Sequence, residues 1–162
     1  MKSRISLALV VACFVLSNGC SKTETGQPAP AGGSQANTAA TPPEHAHGAG
    51  PNSGVVFDFG SHHAEFTVDH GKKECTVVIL GDDEKTPAAV SASELILNTN
   101  ETKTAEGTAV PPMTITMKPA DPADGKATKF VGSDPGLGNV ADFAGTVSGE
   151  VGGKPAQGDF KE

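Results

Sequence analysis

The stretch HAEFTVDHGKKECTVVIL, residues 63–80, decides the fold because it contains two alternating strands around a turn. In its first half every second residue is apolar, and these residues are Ala64, Phe66 and Val68. The residues between them would face the other side of a sheet, and they are His63, Glu65, Thr67 and Asp69. The segment at residues 69–72 is typical of a tight turn, with His70-Gly71 in the place of the more usual Asn-Gly. The stretch therefore predicts an antiparallel β-hairpin.

A two-residue loop in this hairpin fixes the predicted register of the two strands. The predicted cross-strand pairs are Phe66 with Cys75, Glu65 with Thr76, and His63 with Val78. Cys75 then shares the apolar face with Phe66, whereas His63 lies on the opposite face. Cys75 is therefore predicted to be a small buried hydrophobic residue, and not a partner of His63 in a metal site or a nucleophile pair. His70 is expected to serve the turn, since histidine tolerates positive φ better than most residues.

Short apolar runs that are typical of strands continue from residue 54 to the end of the chain, and Gly, Pro and Asp separate them. Eight strands are predicted, at residues 54–59, 63–68, 74–80, 94–99, 113–118, 128–131, 144–151 and 156–160. No segment has a long helical period, and only residues 137–143 are expected to make a turn. Residues 53–162 are therefore expected to form one all-β domain, an antiparallel β-sandwich that is immunoglobulin-like in outline.

Residues 1–19 are typical of a bacterial lipoprotein signal peptide. Their apolar run, residues 5–16, is too short to cross the hydrocarbon core of a membrane. Small and polar residues follow up to Gly19, and Cys20 comes directly after the expected cleavage point. We expect Cys20 to receive a diacylglyceryl group, a palmitate-type membrane anchor. A plain secretory signal that is cut nearby is the alternative.

The residues after Cys20 predict a tether between the membrane and the folded domain. Residues 21–52 contain no aromatic side chain and no aliphatic side chain larger than Ala, so residues 20–52 are expected to be disordered. About thirty such residues have a root-mean-square reach of roughly 30 Å. The residue after Cys20 is Ser21. Asp at this position would favour retention at the inner membrane, so the chain resembles lipoproteins of the outer membrane. The domain is therefore expected in the periplasm, anchored to the outer membrane of the cell envelope.

The charge of the chain excludes one large class of function. Removal of the signal peptide leaves ten basic residues against nineteen acidic ones, a formal charge of −9, and the chain contains neither Trp nor Tyr. Such a chain neither attracts phosphate backbones nor stacks bases, so nucleic acid is not expected as a partner. With Cys13 removed and Cys20 lipidated, Cys75 is the one free thiol. No intramolecular disulfide is then possible, and a monomer that is held by packing alone is expected.

The histidines suggest a metal site. His45 and His47 lie one residue apart in EHAHGAGPNSG, residues 44–54, and such a pair can chelate one borderline divalent ion. His62, His63 and Glu65 follow on the predicted second strand and complete a candidate ligand set for Cu or Zn. A shared site requires residues 48–53 to fold back by about 15–20 Å, which six residues can span. The alternative is that the histidine pair belongs to the tether and binds nothing.

Residues 44–97 also carry a pattern of short motifs. The pattern begins with a histidine-containing segment, followed by Gly-Pro-x-x-Gly at 50–54 and a short strand ending in glycine at 57–60. His-x-Glu at 63–65, a hairpin, and a strand ending in an acidic turn at 76–82 complete it. It resembles the β-domain found as an N-terminal extension on some periplasmic adaptor subunits of heavy-metal efflux pumps, and as free-standing small bacterial lipoproteins. The resemblance implies a metal-linked role with envelope or efflux proteins as partners. Nothing in the chain is similar to the helical hairpin, lipoyl-like or barrel domains of the adaptors, so the chain is not expected to be an adaptor itself.

Two classes of function remain, and neither is enzymatic. The sequence has no Gly-x-Ser-x-Gly, His-Glu-x-x-His, Ser-x-x-Lys or phosphate-binding glycine loop, so no enzyme activity is expected. The first class is a membrane-anchored envelope lipoprotein that binds or buffers a transition metal through its histidines. The second is a β-sandwich protein-interaction module of the cell envelope in which the histidines have no metal role.

Overall fold

A computed structural model of the chain describes residues 47–162, and these residues are almost entirely β-structure. The strands are β1 (Val55–Phe59), β2 (His62–Asp69), β3 (Glu74–Leu80), β4 (Leu95–Thr99), β5 (Thr102–Lys103), β6 (Ala109–Val110), β7 (Thr114–Pro119), β8 (Lys129–Ser133), β9 (Ala144–Val151) and β10 (Lys154–Lys161). The predicted all-β class is confirmed, and each of the eight predicted strands corresponds to an observed one. The predicted signal peptide, Cys20, His45 and most of the predicted tether lie outside the described residues.

Two short strands were not anticipated, and the one helical turn lies slightly earlier than expected. β5 and β6 have two residues each and form a separate small hairpin, which is too short to show an alternating pattern. The turn expected at residues 137–143 is a 3-10 helix at Pro135–Gly138, begun by Asp134, whose side chain accepts a hydrogen bond from the Gly136 N–H. Within residues 47–162, no helix is long and apolar enough to cross a membrane.

Eight strands form one antiparallel sheet in the order β1-β2-β3-β8-β7-β4-β9-β10. β7 connects two halves of this sheet, because it pairs with β4 over most of its length and with β8 through Lys118 and Pro119. The sheet curls until β1 lies beside β10, so it nearly closes into a barrel. The sequence pattern predicted a β-sandwich of two packed sheets, immunoglobulin-like in outline, without a strand order. Both arrangements give the same alternation of buried and exposed residues, which is why the pattern alone does not separate them.

Phenylalanine side chains fill the space inside the curled sheet. Six of them are buried: Phe57, Phe59, Phe66, Phe130, Phe143 and Phe160. The ring centroids of Phe66 and Phe160 lie 4.2 Å apart, which joins β2 to β10 across the interior. This contact links strands that are distant in the sequence, and it holds the two edges of the sheet near each other.

The register of the β2–β3 hairpin differs from the predicted one by two residues. The observed pairs include Val68 with Cys75, Phe66 with Val77, Glu65 with Val78, and His63 with Leu80. The loop has four residues, 70–73, and positive φ occurs at Lys73 and not at His70. His70 instead donates from Nδ1 to the carbonyl oxygen of Leu137 at 2.8 Å. A shift of two residues leaves every side chain on its predicted face, so Cys75 is fully buried on the core side.

Candidate metal centre

The outer face of β1, β2 and β3 carries the residues around which the candidate site is built. His63 pairs with Asp58 on one side and with Leu80 on the other, so these three side chains share one row of the sheet. Leu80 is fully buried although it points away from the core, because the neighbouring segments cover this part of the outer face. His63 therefore stands in a partly buried position on the outside of the sheet, as the alternation on β2 predicts.

His47 reaches this face because the chain reverses directly before β1. Gly50 and Gly54 close a tight loop, in which the Gly50 N–H donates to the carbonyl oxygen of Gly54 at 3.0 Å. Ala49 then pairs with Val55 in an antiparallel bridge, so the segment that contains His47 runs back along β1. The chain reversal that a shared site requires at residues 48–53 is thus present. Residues 48–52 pack against the sheet here, although they were predicted to belong to the tether.

Glu65 holds this loop on the sheet. Its carboxylate is fully buried and accepts hydrogen bonds from the backbone N–H and the side-chain amide of Asn52, each at 2.7 Å, and from the Gly54 N–H at 2.8 Å. A Cβ atom at residue 50 would lie 2.4 Å from this carboxyl group, so only glycine allows the close approach. The Gly-Pro-x-x-Gly motif and the His-x-Glu motif are therefore two parts of one contact. Glu65 positions the loop that carries His47.

Glu84 approaches the same face from the loop after β3. This residue has φ of 57°, a left-handed conformation that is costly for a residue with a Cβ atom. Asp83 holds the loop by accepting hydrogen bonds from the N–H groups of Lys85 and Thr86 and from the Thr86 hydroxyl. The hydrogen bond from the Thr86 side chain, with those from the backbone, lowers the pKa of Asp83 to about 2. These hydrogen bonds stabilise the conformation of the loop, which turns Glu84 toward the two histidines.

The structure brings together two imidazoles and two carboxylates, which belong to His47, His63, Asp58 and Glu84. Glu84 Oε1 lies 3.2 Å from His47 Nδ1 and 3.6 Å from His63 Nε2. Asp58 contacts His63 at the same nitrogen and His47 at the other ring nitrogen, with Oδ1 3.4 Å from His63 Nε2 and Oδ2 3.7 Å from His47 Nε2. The candidate ligand atoms of His47, His63 and Glu84 all lie within 4.8 Å of one another. These three residues could hold a metal ion.

The two nitrogens of His63 have different environments, and the environment of Nε2 indicates that a cation lies beside it. Nδ1 lies 3.2 Å from the carbonyl oxygen of Gly81, and a carbonyl only accepts, so Nδ1 carries the proton. In the neutral ring, Nε2 then has a lone pair that faces the carboxylates of Asp58 and Glu84. Such an arrangement is repulsive unless a cation lies between the groups, either a second proton on the ring or a metal ion. A backbone carbonyl that fixes the other ring nitrogen is also the usual support of a metal-binding histidine.

The remaining predicted ligands lie elsewhere. His62 precedes His63 on β2, so it points to the other face, where its Nδ1 lies 3.1 Å from the Ser61 hydroxyl. It lines a groove with Lys126 and Lys154, whose charge disfavours a metal cation. Glu65 is on the predicted face but outside the group, because both of its carboxylate oxygens are occupied by the loop.

Two members of the group, Asp58 and Glu84, were absent from the predicted set. The alternation in β1 places Asp58 on the outer face, and this signal was present in the sequence. Glu84 belongs to the run Asp82-Asp83-Glu84, which is typical of a solvent-exposed acidic turn. Only the left-handed conformation of Glu84 directs it to the site, and the sequence contains no glycine there to indicate such a conformation.

Cys75 is separated from this group by the sheet itself. Its side chain is fully buried among the core residues, and its thiol lies 3.5 Å from the carbonyl oxygen of Gly132. Burial raises the pKa of the Cys75 thiol to about 12. The thiolate form, which binds metals, is therefore scarce at neutral pH. The candidate metal centre has nitrogen and oxygen ligands only.

No family model, curated protein or solved structure matches this chain. The geometry of the site is therefore the basis on which a function can be assigned.

Proposed function

We propose that this protein is a lipid-anchored protein of the bacterial cell envelope that binds or buffers a divalent transition metal ion, Cu(II) or Zn(II). His47, His63 and Glu84 hold the ion, each through one nitrogen or oxygen atom. The observation that supports this proposal most directly is the orientation of His63. Its Nδ1 is committed to the Gly81 carbonyl, and its Nε2 is directed at two carboxylates.

The ligand types are consistent with these ions. Imidazole suits both Zn(II) and Cu(II), and a carboxylate oxygen is an ordinary ligand of Zn(II). The two neutral imidazoles and the two nearby carboxylates give the site a formal charge of −2, which a divalent cation balances. The formal charge of the whole chain is also negative, −7, which favours cations over anions as ligands.

Calorimetric titration of Zn(II) and of Cu(II) into the purified full chain tests the proposal. We expect one ion per chain with a Kd below about 1 μM for at least one of the two metals. The double variant His45→Ala with His47→Ala should weaken this binding by more than about tenfold, because it removes the ligand that the N-terminal segment supplies. If the parent protein binds neither ion more tightly than about 1 μM, the metal proposal fails, and the interaction-module hypothesis is preferred.

The anchor is a separate part of the proposal and has a separate test. Cys20→Ala should release the protein from the membrane fraction, because it removes the sulfur that carries the diacylglyceryl group. Mass spectrometry of the mature protein should then find the lipid on Cys20 in the parent only. An unmodified mature terminus at another residue would contradict lipidation without affecting the metal site.

A further inference from the structure

Asp58 contacts both histidines, and it contacts a different nitrogen of His47 from the one that Glu84 contacts. It lies directly across from His63 in the β1–β2 pair, and its two oxygens lie 3.4 Å from His63 Nε2 and 3.7 Å from His47 Nε2. Its side chain is half exposed, whereas the side chains of His47 and His63 are 10% and 21% exposed. Asp58 therefore closes the site on its solvent side without being buried itself.

The spacing of Asp58 and Glu84 around His63 Nε2 matches that of neighbouring ligands of a four-coordinate ion. Bonds of about 2.0–2.2 Å in a tetrahedral site place neighbouring ligand atoms about 3.3–3.6 Å apart. Asp58 Oδ1 lies 3.4 Å from His63 Nε2, and Glu84 Oε1 lies 3.6 Å from the same nitrogen. Glu84 and Asp58 contact different nitrogens of His47, Nδ1 and Nε2, so the half-exposed Asp58 side chain must rotate before all four groups bind one ion.

We infer that Asp58 is the fourth ligand of the metal centre and that the centre is a closed site with two imidazoles and two carboxylates. This inference rests on the proposed metal-binding function and makes it more specific. The absence of sulfur from these four ligands disfavours Cu(I), which prefers thiolate and thioether ligands. Four protein ligands also leave no position for a reactive water, as is usual in zinc sites that do not catalyse reactions.

Cobalt(II) is a suitable probe because its visible absorption is strong in four-coordinate sites and weak in six-coordinate ones. We expect the full chain to give the strong four-coordinate spectrum with Co(II). Asp58→Asn should lose most of this absorption and bind Co(II) at least about tenfold more weakly, because the amide oxygen is an uncharged and poorer ligand. Asp82→Asn is the matched control, since Asp82 is exposed in the same loop as Glu84 and the substitution removes the same charge. It should leave the spectrum and the affinity unchanged.

The outcomes distinguish this inference from the proposed function. Suppose that the parent binds Co(II) and that His63→Ala abolishes the spectrum. If Asp58→Asn then keeps both the spectrum and the affinity of the parent, Asp58 is not the fourth ligand and the inference is overturned. An equal loss of Co(II) affinity in Asp58→Asn and Asp82→Asn would also overturn the inference, because the loss would then reflect the removed negative charge and not a lost ligand. If the parent itself binds no Co(II), Zn(II) or Cu(II), the proposed function fails together with the inference.

Discussion

At the scale of single residues, the face of a strand on which a side chain lies decides whether it can join the metal centre. His62 and His63 are neighbours in the sequence, but alternation along β2 sends them to opposite faces of the sheet. His63 meets His47 and Glu84, whereas His62 lies beside Ser61. The two adjacent histidines therefore provide a candidate ligand, His63, and a natural control, His62.

The first prediction compares these two histidines. His63→Ala should weaken Zn(II) binding by about tenfold or more, because it removes a ligand whose orientation is fixed by the Gly81 carbonyl. His62→Ala should leave the affinity within about twofold of the parent. Calorimetry on the two variants under identical conditions measures both effects. If the two substitutions weaken binding equally, the face assignment of the ligands is incorrect.

The second prediction concerns the thiol of Cys75. Because burial raises its pKa to about 12, the reactive thiolate is scarce at pH 8, and the side chain is also inaccessible. In a chain with Cys13→Ala and Cys20→Ala, a thiol reagent should react slowly with the native protein and rapidly after denaturation. The rate of labelling in the two states provides the measurement. Rapid labelling of the native protein would mean that Cys75 does not lie in the core.

At the scale of elements, the loop from Gly50 to Gly54 connects the N-terminal segment to the metal centre. The buried Glu65 carboxylate binds this loop, and the loop in turn places His47 beside β1. The element has no regular secondary structure beyond one bridge, so its position depends on these few hydrogen bonds. Under the proposed function, Glu65 would therefore affect metal binding through the position of His47, without being a ligand itself.

The third prediction tests this positioning role. Glu65→Ala should lower the free energy of unfolding by about 1–3 kcal/mol, because three hydrogen-bond donors lose their buried acceptor. It should also weaken Zn(II) binding, since His47 is no longer held near His63. Urea unfolding and calorimetry measure the two effects, and Glu150→Ala, an exposed glutamate on β9, is the control. Normal metal affinity in a destabilised Glu65→Ala protein would show that the loop does not position His47.

Some elements could be predicted from the sequence and others could not, for physical reasons. The alternation of Ala64, Phe66 and Val68 was enough to predict β2 and the face of each of its residues. The hairpin register was wrong because the loop uses a left-handed Lys73, and lysine gives no sequence signal for that conformation. Glu84 was missed for the same reason. Local patterns specify faces well, but they do not specify backbone conformations that tertiary contacts impose.

At the scale of the whole molecule, the central question is how one sheet curls far enough to bring β1 beside β10. The closest approach is at Gly158, where a Cβ atom would lie 1.9 Å from the carbonyl oxygen of Asp58. The aromatic contact between Phe66 and Phe160 supports the same junction from inside. Because Asp58 also contacts His47 and His63 of the candidate metal centre, the closure of the sheet and the geometry of the site are connected.

The fourth prediction is that Gly158→Ala destabilises the protein. The added methyl group must push β10 away from β1, and overpacking of this kind costs about 1–3 kcal/mol. Gly71→Ala is the control, because a Cβ atom there would lie 3.4 Å from the nearest side-chain atom, an ordinary contact. Urea unfolding should show a lower midpoint for Gly158→Ala only. Equal stability of the two variants would contradict the close approach of the two edge strands.

The central claim is that one divalent ion binds between His47, His63 and Glu84, and anomalous diffraction from crystals of the zinc-loaded protein tests it most directly. Data collected on both sides of the zinc absorption edge locate the ion without reference to any affinity. We predict one zinc peak per chain, about 2.0–2.2 Å from His63 Nε2 and bonded also to His47 and Glu84. A zinc-loaded crystal with no peak at this position, or with its peak at His62 or His70 instead, would contradict the account.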